Sequence, residues 1–157
     1  MRARVRGFTL IELVVTVAIV GLLAAMAAPL LETTVRRGKE QDLKAALMDL
    51  RNAIDAYKDA ADRARIQRAA DDSGYPPSLE VLVEGVVDRS SPTAARMYFL
   101  RRIPRDPLAD PSLGPAQTWG LRSSTSPPDS PQPGKDVFDV RSLSQGKALD
   151  GSLYRDW

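Results

Sequence analysis

A single carboxylate, Glu12, lies inside the apolar run FTLIELVVTVAIVGLLAAMAAPLL, which extends from Phe8 to Leu31. Near a membrane interior such a charge costs roughly 2.5 to 3.5 kcal/mol on insertion scales, so it calls for a cationic partner. No Lys or Arg occurs between residues 7 and 35. A cut after Gly7 would create an α-ammonium on Phe8, close in sequence to Glu12 and deliverable from a neighbouring chain at the same depth. On this reading the missing cation is the cut end itself. Other reactive chemistry is sparse. The chain has no Cys and no His, which excludes disulfides, thiolate nucleophiles, His-based acid–base catalysis and Cys/His zinc sites. Serines are plentiful but have no His to activate them. Asp71, Asp72, Asp106 and Asp110 can be drawn as a carboxylate pair, yet they stand among Ser, Gly and Pro residues, where turn and cap chemistry accounts for them. There is no GxxxxGK[ST] phosphate loop, so the chain is not itself an ATP-driven motor.

The element that must position Glu12 is the run itself. Residues 8–31 at about 1.5 Å per residue span about 36 Å, enough to cross a hydrocarbon core of about 30 Å. Arg2, Arg4 and Arg6 precede it, and by the positive-inside rule they keep the N-terminus cytoplasmic while the remainder is delivered across the membrane. Arg36 and Arg37 weaken that asymmetry without reversing it. A cleaved secretory signal peptide is the plain alternative, with Ala24 to Ala28 as its cleavage region. Its apolar core, however, is normally about 7 to 15 residues and free of charge. Setting aside the three leading arginines, 19 of the 22 basic residues face 20 acidic ones. That near-neutral body lacks the basic face that binding to a phosphate backbone needs, so nucleic acid is not an expected partner.

Beyond the run, Leu43, Leu47, Leu50, Ile54, Tyr57 and Ala61 recur at helical spacing, with Lys44, Asp49, Arg51, Asp55 and Lys58 between them. This predicts an amphipathic helix over about 32–70 whose apolar face is core. Ser73-Gly74 and Tyr75-Pro76-Pro77 stop it. Pro77 to Glu84 can add a short helix closed by Gly85. Three β-leaning segments follow, Met97 to Ile103, Gln117 to Arg122 and Val137 to Ser142. Ser123 to Gly134 is too rich in Ser and Pro for a strand and reads as an exposed loop. The last segment, Gln145 to Trp157, carries Leu149, Leu153, Tyr154 and Trp157 as docking anchors. At 157 residues the chain has room for one compact domain with an accessory segment. The expected class is α+β, a long N-terminal helix packed in its second half on a small antiparallel sheet.

The segment RGFTLIELVV resembles the prepilin signature shared by type IV pilins and type II secretion pseudopilins. The resemblance implies cutting between Gly7 and Phe8 by a prepilin peptidase, N-methylation of Phe8, and a role for Glu12 in contacting a neighbour's terminal amine during assembly. Gly21 and Pro29 match a glycine and a proline between which pilin helices are prone to unwind. Both residues weaken a helix on general grounds, proline by about 3 kcal/mol in an ordinary helix. YPPSLEVLV, YFLRRIPRDPL, WGLRS and DVFDVRS extend the resemblance toward the major-pseudopilin branch, with Ala109 to Gly134 matching least.

The implied organisation is a cleaved leader over 1–7, a transmembrane and assembly helix over 8–31, and a periplasmic pilin-like domain over 32–157, with its sheet and loops over 75–157. The implied function is structural and not enzymatic, a subunit of a type II secretion pseudopilus or related type IV filament. Its implied partners are copies of itself in a helical filament, minor pseudopilins or pilins, the prepilin peptidase, membrane lipid before assembly, and an inner-membrane platform with a separate ATPase. The implied location is the bacterial inner membrane, single-pass, with a periplasmic filament after assembly. A type IV pilus subunit for adhesion, motility or DNA uptake is the alternative within the family, and an exported enzyme or binding protein tethered by its N-terminus is the rival outside it. The sequence departs from the resemblance at one place. Secretion-type major pseudopilins carry an acidic, glycine-rich calcium loop near the C-terminus, where this chain reads LSQGKALDGSLYRDW, with only Asp150 and Asp156 as side-chain carboxylates and Lys147 and Arg155 interleaved. Calcium takes about six to eight oxygen ligands. Asp136, Asp139 and Asp150 are the candidate ligands, and no cofactor is otherwise expected.

Overall fold

The computed structural model describes residues 7–69 and 71–157, with the side chains of residues 25–31 outside the description. Leader residues 1–6 and Ala70, the expected limit of the long helix, therefore lie outside the described residues. Helix α1 is Leu10–Asp62 and helix α2 is Leu79–Glu84. Strands β1 (Val86–Val87) and β2 (Arg96–Met97) pair antiparallel, as do β3 (Trp119–Arg122) and β4 (Asp139–Ser142). Single 3-10 turns occupy Pro115–Thr118 and Tyr154–Asp156. The chain divides into two compact units, Met1–Gly38 and Lys39–Trp157.

In the second unit the expected apolar face is the core. Leu43, Leu47, Leu50, Ile54, Tyr57 and Ala61 are all buried, and Ala46, Ala53 and Ala60 fill the turns between them. The small alanines let Leu79 and Leu82 of α2, Trp119 of β3 and Val140 of β4 join one continuous cluster. Each large aliphatic side chain so buried contributes about 1.5 to 3 kcal/mol. Tyr57 meets Phe99 with ring centroids 5.3 Å apart, and the Trp119 indole N–H donates to the Pro104 carbonyl at 2.8 Å.

α1 closes at Asp62, short of the expected stop at Ser73-Gly74. The stop is a backbone motif built on a residue other than glycine. Ala64 adopts φ 55°, its N–H bonds the Ala61 carbonyl, and the Arg65 N–H bonds the Ala60 carbonyl. This paired pattern caps the last carbonyls of a helix. Gly74 instead serves a turn, at φ 83°. α2 begins at Leu79 after Ser78 and ends, as expected, at Gly85, whose φ is 73° and whose N–H bonds the Val81 carbonyl.

The sheet differs from expectation in one part. β3 and β4 lie within the expected segments, registered Trp119 to Ser142 and Arg122 to Asp139. Met97 to Ile103 does not form a strand: only Arg96–Met97 pairs, with Val86–Val87, so the described residues form two small ladders. The Phe99 and Leu100 N–H groups both bond the Leu82 carbonyl at the end of α2, which takes the chain out of a ladder. Residues 123–134 contain no strand or helix. They are nonetheless tied, the Ser123 N–H to the Gln132 carbonyl and the Gln132 N–H to the Ser126 hydroxyl.

Candidate functional site

The start of α1 follows from one short pattern, Thr9-Leu10-Ile11-Glu12. Leu10 opens the helix, so Thr9 is its cap and Glu12 its third residue. The Glu12 N–H donates to the Thr9 hydroxyl oxygen at 3.3 Å, and Glu12 Oε2 accepts from the Thr9 N–H at 3.0 Å and the Thr9 hydroxyl at 2.8 Å. This is a capping box, in which cap and third residue satisfy each other's orphan donors. Thr16 folds its hydroxyl back onto the carbonyls of Glu12 and Leu13, and so hides its own polar group along the apolar helix.

Around this box the surface is apolar and open. Phe8, Leu10, Ile11, Leu13, Val14 and Val17 are all exposed, Phe8 to 81%. Gly7 and Gly21 have nothing within 4 Å of where a Cβ would stand. A cut at Gly7-Phe8 would thus leave an amine one residue before the cap, and among the described residues both sides of that bond are exposed. Gly21 lies inside α1, and so does the backbone of Pro29, whose side chain is outside the description. Among the described residues no helix is long and apolar enough to cross a membrane. The expected span over 8–31 includes residues 25–31, whose side chains are not described.

The candidate metal ligands are not brought together. Asp136 is buried, and its Oδ1 accepts from the Ser123 hydroxyl at 2.6 Å while Oδ2 accepts from the Ser124 hydroxyl at 2.6 Å. Asp139 accepts from Arg51 Nε at 2.8 Å. Asp150 turns its own loop, accepting from the Ser152 N–H at 2.9 Å and hydroxyl at 2.6 Å. Among the described residues no three His, Cys, Asp or Glu side chains gather as a metal site. The donor set therefore does not fit calcium. Asp72, Asp106 and Asp110 do turn work. Asp72 accepts from the Gly74 N–H, Asp106 from the Leu108 N–H, and Asp110 from the Ser112 N–H. Asp106 is also buried, and it accepts the Ser142 hydroxyl at 2.6 Å.

Residues 2–28 match the prokaryotic N-terminal methylation motif family. Over 106 residues the chain is 32% identical to a type II secretion system core protein G from Klebsiella michiganensis, covering 65% of this chain and 67% of that protein. Against the same-named protein of Aeromonas hydrophila the identity is 31% over 125 residues, 74% of this chain and 78% of the relative. The chain belongs to the type II secretion core protein G family. No solved structure matches it. A core protein G is a structural pseudopilin, not an enzyme, and the α+β architecture is accordingly a pilin fold. The methylation motif makes this family member a membrane-anchored, exported protein. The capping box sits at the heart of the motif, and sequence reading overlooked it although Thr-x-x-Glu before an apolar helix is its written signature. Two further partnerships escaped it altogether. Arg51 holds both Asp139 and the Trp157 carbonyl, and Glu40 accepts from the Tyr154 hydroxyl across 114 residues of sequence.

Proposed function

We propose that this pseudopilin is held in the bacterial inner membrane by residues 8–31, with a cytoplasmic leader over 1–7 and a periplasmic domain over 32–157. Prepilin peptidase cuts between Gly7 and Phe8 and the new terminus is N-methylated. The mature chain is then drawn by an inner-membrane platform with its own ATPase into a helical filament of identical subunits, with minor pseudopilins among its neighbours. The observation that carries this reading is the placement of Glu12 at the first turn of an uncovered apolar helix, four residues after Phe8, whose amine a cut at Gly7-Phe8 would free.

The chemistry is one of partner exchange. In the uncut chain the Glu12 carboxylate is satisfied by Thr9 N–H and hydroxyl groups, neutral donors that quiet the charge without cancelling it. A neighbour's α-ammonium offers a charge-assisted bond about twice as strong as a neutral one. A subunit arriving at the correct axial depth delivers that ammonium, whereas one arriving a turn too high or low leaves the carboxylate in hydrocarbon. Glu12 so acts as a register mark. Gly21 and Pro29 allow the helix between them to deform as subunits pack.

The test is Glu12→Gln, which preserves shape and hydrogen bonding to Thr9 while removing the charge. The variant is expected to be cut and methylated normally, and to yield on the order of tenfold less sheared filament or worse. Filament at the wild-type level would sink the register role.

A further inference from the structure

The segment from Gln145 to Trp157 stands where the resemblance places a calcium loop, and its chemistry has the opposite polarity. A calcium loop turns oxygen acceptors inward on a cation. Here the loop turns donors outward onto a carboxylate of the helix. Glu40 Oε1 accepts from the Leu149 N–H at 2.9 Å and from the Tyr154 hydroxyl at 2.8 Å, so one oxygen ties two points of the segment to α1. One turn along, Lys44 Nζ lies 4.3 Å from the centroid of the Trp157 ring. Further along, Arg51 Nη2 donates to the Trp157 carbonyl at 2.8 Å and to that of Val140 at 3.2 Å. Residues spaced by four and seven lie along one side of a helix, so a single stripe of α1 meets the segment at Leu149, Tyr154 and Trp157.

The segment is also closed upon itself. Lys147 and Leu153 form a β-bridge, and the Ala148 N–H bonds the Ser152 carbonyl at 2.7 Å. The Trp157 indole N–H donates to the Ser152 hydroxyl at 2.7 Å, and the Tyr154 and Trp157 rings meet edge to face at 5.2 Å. Asp150 is committed to Ser152, and Asp156 lies 3.6 Å from Arg155 Nε. A divalent cation entering here would meet the Lys44 ammonium and, among the described residues, no gathered set of carboxylates.

We infer that Glu40, Lys44 and Arg51 of α1 lock the C-terminal segment in place of a metal ion, so that the Lys39–Trp157 unit folds and keeps its C-terminus docked without calcium. The lock is read within that unit alone, and it stands or falls separately from the proposed processing of the N-terminus.

The experiment uses the full chain purified in detergent, with thermal unfolding followed by tryptophan fluorescence in calcium chloride and in EDTA, and terbium as the metal probe. The midpoint is expected to be the same in both buffers, with no terbium emission sensitised by Trp157. Glu40→Gln is expected to lower the midpoint by about 5 °C and to expose residues 145–157 to protease on the order of tenfold faster. Tyr154→Phe, which deletes one hydroxyl and keeps the ring, is expected to move both readouts in the same direction and covers the case in which the Glu40 variant does not fold. A midpoint that rises by several degrees with calcium, saturable terbium emission, or wild-type protease resistance in Tyr154→Phe would each overturn the inference.

Discussion

Burial alone would push the Asp136 carboxyl up, but the hydroxyls of Ser123, Ser124 and Ser73 and the Ser124 N–H outweigh it and hold the group down at about 2. A carboxyl depressed on folding contributes stability that is whole above its unfolded value, 3.8 here, and that is lost as pH falls through the folded value. The expected acid limb therefore lies between about pH 4 and pH 2 and is worth about 2 kcal/mol. Asp136→Asn should flatten that limb in denaturation midpoints taken across the window; an unchanged acid limb would show that another group governs it. Asp88 is held well below the usual carboxylate range, first by Arg65 and then by Ser90, and adds to acid sensitivity in the same direction. At this scale the sequence was legible in part. The need of Glu12 for a partner followed from its place in an apolar run, and the cap residue that supplies one in the uncut chain stood three positions away. The serines around Asp136 could not be read in advance, because Ser73 and Ser123 meet it only through the fold.

At the scale of elements, periodicity was the dependable signal. The buried stripe from Leu43 to Ala61 repeats at the period of the helix, and no other local structure puts those six side chains on one face. The end of α1 was less legible because its cap sits on Ala64 at φ 55°, a conformation that costs an L-residue about 1 to 2 kcal/mol. Nothing in the composition of Asp62-Arg63-Ala64-Arg65 announces it, while Ser73-Gly74 downstream carries the usual signal. Ala64→Gly is accordingly expected to stabilise the chain by about 1 kcal/mol, seen as a higher urea midpoint at unchanged slope. A lower midpoint would mean that the Ala64 backbone is not in that conformation. β1 escaped because Val86–Val87 is a two-residue ladder, too short to show alternation. Phe99 and Leu100 have strand-like composition but give their N–H groups to Leu82, a tertiary contact that overrides propensity.

At the scale of the whole molecule, the two units differ in how their apolar side chains are covered. In Lys39–Trp157 the apolar side chains face one another, and Leu50, with no exposed surface, is expected to cost about 2 to 5 kcal/mol when cut to Ala. A loss under 1 kcal/mol in chemical denaturation would contradict the packing described. In the first unit the apolar side chains from Phe8 to Leu23 are uncovered, the surface that the proposed passage from lipid to neighbouring helices requires. The long-range ties between α1 and the C-terminus, from Glu40 to Tyr154 and from Arg51 to Trp157, had no signature in the sequence, since a pair more than a hundred residues apart leaves no local pattern. Assembly into a filament, as proposed, requires the chain to be cut where Gly7 meets Phe8. Mass spectrometry of the N-terminal peptide, taken from protein in a native host membrane, reads that bond directly. The predicted result is an N-methylated peptide beginning at Phe8; a start near Ala27, or an intact Met1, would contradict the filament reading.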